Sequence, residues 1–262
     1  MVTTQSGNAA SAGTQAVERA LAILQCLAGD VEDLGVSTIG KHVGLSPSTV
    51  HRLLGALTRM GYVQQNPATG RYLLGRAAFV LGQSAQRRLG LDLVQERIEG
   101  LSRAVEESVN LGVRFGDEAV VMLRVESRQP LRYDQPVGSH VPLHASALGK
   151  ALIGFADDLD AQLEHLQPLP ALTSHTITNL VALGEHLRET RLRGYSVDDE
   201  EGLLGVRCVG APVFNHHGQV SAAIAIQVPA VRMPDKRRQE LGELVVLCAA
   251  EIQDILPANG WL

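Results

Sequence analysis

Between Ser46 and Arg59 the chain reads SPSTVHRLLGALTR, and its polar side chains are of kinds that bind a polyanion. Ser48, Thr49, His51 and Arg52 supply hydroxyls, an imidazole and a guanidinium, the groups that hydrogen-bond to the edges of base pairs. Lys41, Arg59 and Arg71 are flanking cations suited to backbone phosphate, which positions a protein on a duplex without specifying sequence. Arg71 is equally well placed to serve strand pairing. On a helical wheel Val50, Leu53, Leu54 and Leu57 gather on one side. Ser48, Arg52, Gly55 and Arg59 take the opposite side, with Thr49 and His51 on the flanks. Ser46 stands where it can cap this helix and Pro47 fits its first position. Gly55 either permits close backbone approach to a phosphate or admits a neighbouring helix.

A second stretch, VPLHASALGKALIGF (141–155), has different chemistry. Pro142 ends an extended run and a helix begins near Ser146. The N–H groups of Ala147 and Leu148 would then be first-turn donors able to hold a carboxylate. The alternative is that Ser146 caps the helix and water takes the remaining donors. Enzymatic readings fail one after another. SALGK lacks the first Gly of a phosphate loop and has Ala151 where Ser or Thr is required. His140 and His144 flank Pro142 and have no accompanying Glu, which argues against a helical zinc pair. His216-His217 reads as a solvated turn beside Gly218. Asp198-Asp199-Glu200-Glu201 reads as a wet acidic turn rather than a calcium loop. Cys208 has no evident base beside it, and there is no Gly-x-Ser-x-Gly elbow. No motif asks for a metal or cofactor. An enzyme acting on a small acid or ester, with an auxiliary DNA-binding head, is the alternative function.

These groups need elements to hold them. Residues 14–28 carry Val17, Ala20, Leu21, Leu24 and Leu27 at helical spacing. A shorter helix follows over 37–44, with Ser37 as cap and Gly44 as stop. The helix from Pro47 comes after a connection of helix-turn-helix size. Next, Tyr62–Gln65 and Arg71–Leu74 read as two short strands around NPATG, a hairpin placed as a wing. Residues 76–90 read as a linking helix, either a lever or an inert spacer. Beyond residue 90 helices alternate with strands. VRCVGAPVFN and QVSAAIAIQV are two long strands, and an antiparallel sheet with flanking helices is expected, an α+β domain.

Charge divides along the same line. Residues 37–90 hold Lys41, Arg52, Arg59, Arg71, Arg76, Arg87 and Arg88 and no acid, whereas the whole chain of 262 residues is −5. A basic head on an acidic body fits a polyanion-binding module carried by a non-binding one. Aromatics are 3% of the chain, so its cores rest on Leu, Val, Ile and Ala. No apolar run reaches a membrane span, so no membrane partner is expected. The first 13 residues are small and polar and read as a disordered tail. Three scattered cysteines form no disulfide framework, and the cytoplasm is the expected compartment.

AVERALAILQCLA, STIGKHVGLSPSTVHRLLGALTRMGYV and TGRYLLG together resemble the winged helix-turn-helix head of the IclR family of bacterial transcription regulators. VGSHVPLHASALGKAL, GYSVDDEEGLLGVRCVGAPVF and GQVSAAIAIQVP extend the resemblance over residues 14–256. It implies a DNA-binding head at 14–75, a linker helix at 76–90 and a GAF-like effector-binding and oligomerisation domain at 91–262. It further implies that the first turn of the 146–155 helix, the acidic segment and the following Cys line an effector site, here Ala147, Leu148, Asp198 and Cys208. Ala225 and Gln227 stand where the family often has a Ser-x-Ser pair, so the site has lost two hydroxyls. The implied partners are a double-stranded operator, roughly palindromic or repeated, a small metabolite such as an organic acid, and further copies of the chain as a dimer or dimer of dimers.

Overall fold

The computed structural model describes residues 12–29, 32–166 and 168–256. Residues 1–11 of the expected tail lie outside the described residues. Helix α1 (Ala12–Gly29) begins two residues before the expected start of the head. The chain divides into two compact units between Gln86 and Arg87.

In the first unit α1, α2 (Val36–Val43) and α3 (Pro47–Arg59) bury Ile23, Leu27, Ile39, Val50, Leu53 and Leu54 in one core. Helix α2 starts one residue early. Its cap position is Gly35, which makes no side-chain bond, so Ser37 lies inside the helix and is not its cap. Strands β1 (Val63–Gln65) and β2 (Tyr72–Leu74) form the antiparallel hairpin. Leu34 adds a rung to the hairpin that no periodicity announced. Its N–H and C=O both pair with Tyr72 at 2.8 Å. Helix α4 (Arg76–Arg88) follows, with no buried residue and with Phe79, Val80 and Leu81 exposed.

The second unit is built on one six-stranded antiparallel sheet in the order β5-β4-β3-β8-β7-β6. Its strands are β3 (Ser108–Phe115), β4 (Glu118–Val125), β5 (His140–Pro142), β6 (Ser196–Asp199), β7 (Val206–Phe214) and β8 (Val220–Pro229). Successive side chains on a strand face opposite sides. Ile224, Ile226 and Val228 of β8 pack with α5 (Leu91–Val105) and α9 (Asp235–Ile255). Ala223 and Ala225 pack on the other face, under α6 (Ala147–Gly154), α7 (Leu159–His165) and α8 (Leu180–Arg193). Both faces of the middle strands are covered, so β7 and β8 read as continuous apolar runs instead of alternating ones.

Candidate effector cavity and DNA-facing helix

The sheet register gathers residues that are far apart in the sequence. Ser108 pairs with Gln227, Gln227 with Cys208, and Cys208 with Asp198, so one row of side chains crosses four strands. The neighbouring row is Asn110, Ala225, Gly210 and Ser196. Across paired strands these rows share one face, the face covered by α6. Gly210 lets α6 settle onto it, and Gly149 lets α6 fold back against the segment that leads into it. A Cβ on Gly210 would stand 2.9 Å from the Ala147 carbonyl oxygen, and one on Gly149 would stand 2.3 Å from Leu143 Cα.

The start of α6 is pinned by Ser146. Its Oγ donates to the Pro142 carbonyl at 2.7 Å and accepts the Gly149 N–H at 3.0 Å. The Lys150 N–H reaches the Ser146 carbonyl at 2.9 Å. Ser146 is thus a cap, and the Ala147 and Leu148 N–H groups are still left without an acceptor among the described residues. Against this turn lies a cavity of about 340 Å³. Its walls include Ala147, Leu148, Asp198, Cys208, Ala225 and Gln227, all six positions expected of an effector site, and no Lys or Arg among the described residues.

Asp198 corrects the reading of its segment as a wet acidic turn. Asp198 and Glu201 are buried, because β6 pairs with β7 and the loop after it folds inward. Asp198 Oδ1 accepts the N–H groups of Glu201 at 2.8 Å and Gly202 at 3.3 Å. Burial nevertheless pushes its carboxyl up to about 7, against the pull of the Lys150 ammonium. Burial raises the Cys208 thiol well above its ordinary value, and the adjoining Asp198 carboxylate raises it further. A carboxylate therefore does lie beside Cys208, supplied by the partner strand, but it makes the thiolate scarcer and the nucleophile poorer. Lys150 is fully buried. Its Nζ donates to Glu201, to the Val197 carbonyl at 3.1 Å, and stands 3.3 Å from His186 Nε2. This lysine thus anchors the acidic loop, and its ammonium is committed there instead of facing outward as a phosphate loop requires. His140 pairs with Glu118 at 2.8 Å and buried His144 with the Pro170 carbonyl at 3.0 Å, so the two histidines do not converge.

Sequence reasoning missed the opposite wall, formed by Tyr133, Gln135, Ser139 and His140, together with Leu203 and Val206. The loop between β4 and β5 carries no periodicity. It is held by Arg124, whose guanidinium donates to the Tyr133 carbonyl at 3.0 Å and pairs with Asp134 at 2.7 Å.

In the first unit Ser48, His51, Arg52 and Arg59 of α3 are exposed, as is Lys41 on α2, while Val50, Leu53 and Leu54 are buried. Ser46 Oγ accepts the Thr49 N–H at 3.4 Å and contacts the hydroxyls of Ser48 at 3.1 Å and Thr49 at 3.0 Å. Ser46 and half-buried Thr49 thus belong to the cap as much as to the outer face. Arg71 is exposed, and its guanidinium donates to the Asp33 carbonyl at 3.3 Å, tying the wing to the loop before α2. A Cβ on Gly55 would meet only Arg59 at 3.8 Å, so no neighbouring helix requires that glycine.

The model described as "Bacterial transcriptional regulator IclR C-terminal" matches residues 90–254, and "IclR helix-turn-helix domain" matches residues 16–67. The chain belongs to the IclR family of bacterial transcriptional regulators. It is 34% identical over 247 residues to the transcriptional repressor IclR of Escherichia coli K12, covering 93% of this chain and 90% of that one. It is similar to the solved IclR of Thermotoga maritima, with a TM-score of 0.75 and 28% identity over 92% of this chain and 98% of that one. It shares the fold of an IclR homologue from Microbacterium hydrocarbonoxydans, solved with 4-hydroxybenzoate. There the TM-score is 0.81 and the identity 22%, over 91% of this chain and 98% of that one. The chain is therefore an IclR-family regulator with a DNA-binding head and an effector-binding C-terminal domain, and the enzymatic alternative is set aside. No helix among the described residues is long and apolar enough to cross a membrane.

Proposed function

We propose that this IclR-family regulator carries a small organic acid in the cavity against α6 and that the acid modulates operator binding by the head. The observation that carries this reading is the cavity itself, a concave space beside two unpaired N–H groups at a helix N-terminus. The head, residues 14–75, reads base edges with Ser48, Thr49, His51 and Arg52 and is positioned on phosphate by Lys41, Ser46, Arg59 and Arg71. Residues 76–90 link it to the effector-binding and oligomerisation domain, 91–262. One short recognition helix spans too few base pairs for selectivity alone, which favours a dimer or dimer of dimers on a repeated operator in the cytoplasm. Control requires that the acid bind two conformations with different affinity.

Mobility shifts with the DNA upstream of the gene test the head. Arg52→Ala is expected to weaken binding roughly 10- to 100-fold, corresponding to about 1–3 kcal/mol for a base-reading arginine. Equal binding by variant and wild type would remove α3 from the reading role. A thermal-shift screen of aliphatic and aromatic acids tests the cavity, since a ligand of the folded state raises the melting temperature.

A further inference from the structure

The wall of the cavity contains an amide cluster whose hydrogen bonds do not close. Asn110 on β3, Gln135 in the loop before β5 and Gln227 on β8 are all buried, and the two glutamines line the cavity. Asn110 Nδ2 donates to Gln135 Oε1 at 2.9 Å, and Gln227 Nε2 donates to the same oxygen. Two donors thus share one carbonyl, while Asn110 Oδ1 and Gln227 Oε1 are buried without a partner. With the amides reversed Gln135 would instead donate to both neighbours, and the outward groups of Asn110 and Gln227 would be NH₂ donors. A buried polar group without a partner is costly, and an arrangement that keeps one beside a cavity is completed by what enters the cavity.

The lining limits the chemistry of that occupant. Asp134 and Asp198 are its acids, and no Lys or Arg of the described residues faces the cavity. One carboxylate can be held by the Ala147 and Leu148 N–H groups. A second would meet neutral amides and the two aspartates, with Arg124 already paired to Asp134 and His140 to Glu118. A hydroxyl both donates and accepts, so it can partner the outward group of Gln227 in either orientation. We infer that the cavity is built for a hydroxylated monocarboxylic acid, with its carboxylate at the first turn of α6 and its hydroxyl on the Gln135–Gln227 amides. The inference rests on the reading that an acid occupies the cavity, and it adds which class of acid. It also accounts for the missing Ser-x-Ser pair. Ala225 leaves room, and Gln227 returns polar function from a longer side chain.

Titration calorimetry of the full-length protein with two matched pairs, 4-hydroxybenzoate against benzoate and 3-hydroxybutyrate against butyrate, tests this. In wild type the hydroxylated member of at least one pair binds about tenfold or more tightly than its deoxy partner. Gln227→Leu and Gln135→Leu, which keep approximate volume and remove the amide, each bring the two members of that pair together. Melting of the unliganded variants identifies which of the two is folded and carries the comparison. Binding of both members alike in wild type, or a preference that survives both substitutions, overturns the hydroxyl assignment while leaving the acid reading intact. No binding by any of the four acids, with operator binding unimpaired, overturns the inference together with the acid reading.

Discussion

A carboxyl group sealed from water favours its neutral form, and Asp198 is the clearest case in this chain. Between pH 3.8 and about 7 the folded protein holds a proton on Asp198 that the unfolded chain has released. Stability from this group is therefore greatest in acid and falls as pH rises through that window. Asp198→Asn keeps an oxygen for the Glu201 and Gly202 N–H groups and cannot ionise. Its melting temperature relative to wild type is expected to rise from pH 5 to about pH 7 and to level off above that in thermal unfolding. A difference that does not vary with pH would show that Asp198 does not titrate in that range. Gly55 is the other residue whose role can be isolated. It sits mid-helix, where an added Cβ would meet only the Arg59 guanidinium at 3.8 Å, so Gly55→Ala should raise stability by about 0.5–1 kcal/mol in denaturant titration. If the bare backbone there meets a phosphate, the same variant loses operator affinity. Unchanged affinity would mean that α3 presents no backbone to DNA at that point.

At the scale of elements, the wing is held from outside itself. Asn66 Nδ2 donates to Asp33 Oδ2 at 2.7 Å, Arg71 donates to the Asp33 carbonyl, and Leu34 pairs with Tyr72. Asp33 precedes the acid-free basic segment, so on charge alone its removal should strengthen DNA binding. Asp33→Ala is expected instead to weaken it roughly fivefold, the equivalent of about 1 kcal/mol for the lost tie. Asp33→Asn retains an acceptor for Asn66 and should bind at least as well as wild type. Tighter binding by the alanine variant in mobility shifts would mean that the tie does not position the wing. The sequence showed the hairpin because Pro67 and Gly70 punctuate it. It did not show the Leu34 rung, since a single paired residue has no period. The same limit hid β6 and α7, whose short spans carry little pattern, whereas β7 and β8 were legible from length and apolar content and the end of β5 from Pro142.

Over the whole molecule, each unit closes its own core. The head gathers Ile23, Ile39, Val50, Leu54 and Val63, and the second unit has one apolar cluster on each face of its sheet. A fragment of residues 87–262 is therefore expected to melt cooperatively and to keep any acid-induced rise in melting temperature seen in the full chain, while failing to shift operator DNA. Loss of the acid response in a fragment that still melts cooperatively would show that the cavity depends on the head.

From its residues alone the chain specified a three-helix basic head with a wing, an α+β body, the capping of α3 by Ser46, and the first turn of α6 as an anion-binding candidate. Those features depend on spacing, caps and turn residues, which act over a few positions and so leave a local trace. The link of Cys208 and Gln227 to Asp198 was carried by family resemblance, and its geometry appears only in the strand register. Tertiary structure alone decided the burial of Lys150 and Glu201, the amide cluster with Gln135, and the tie from Asp33 to the wing. Each joins side chains separated by tens of residues, and their partners are chosen by sheet order and loop folding, which no short-range pattern encodes.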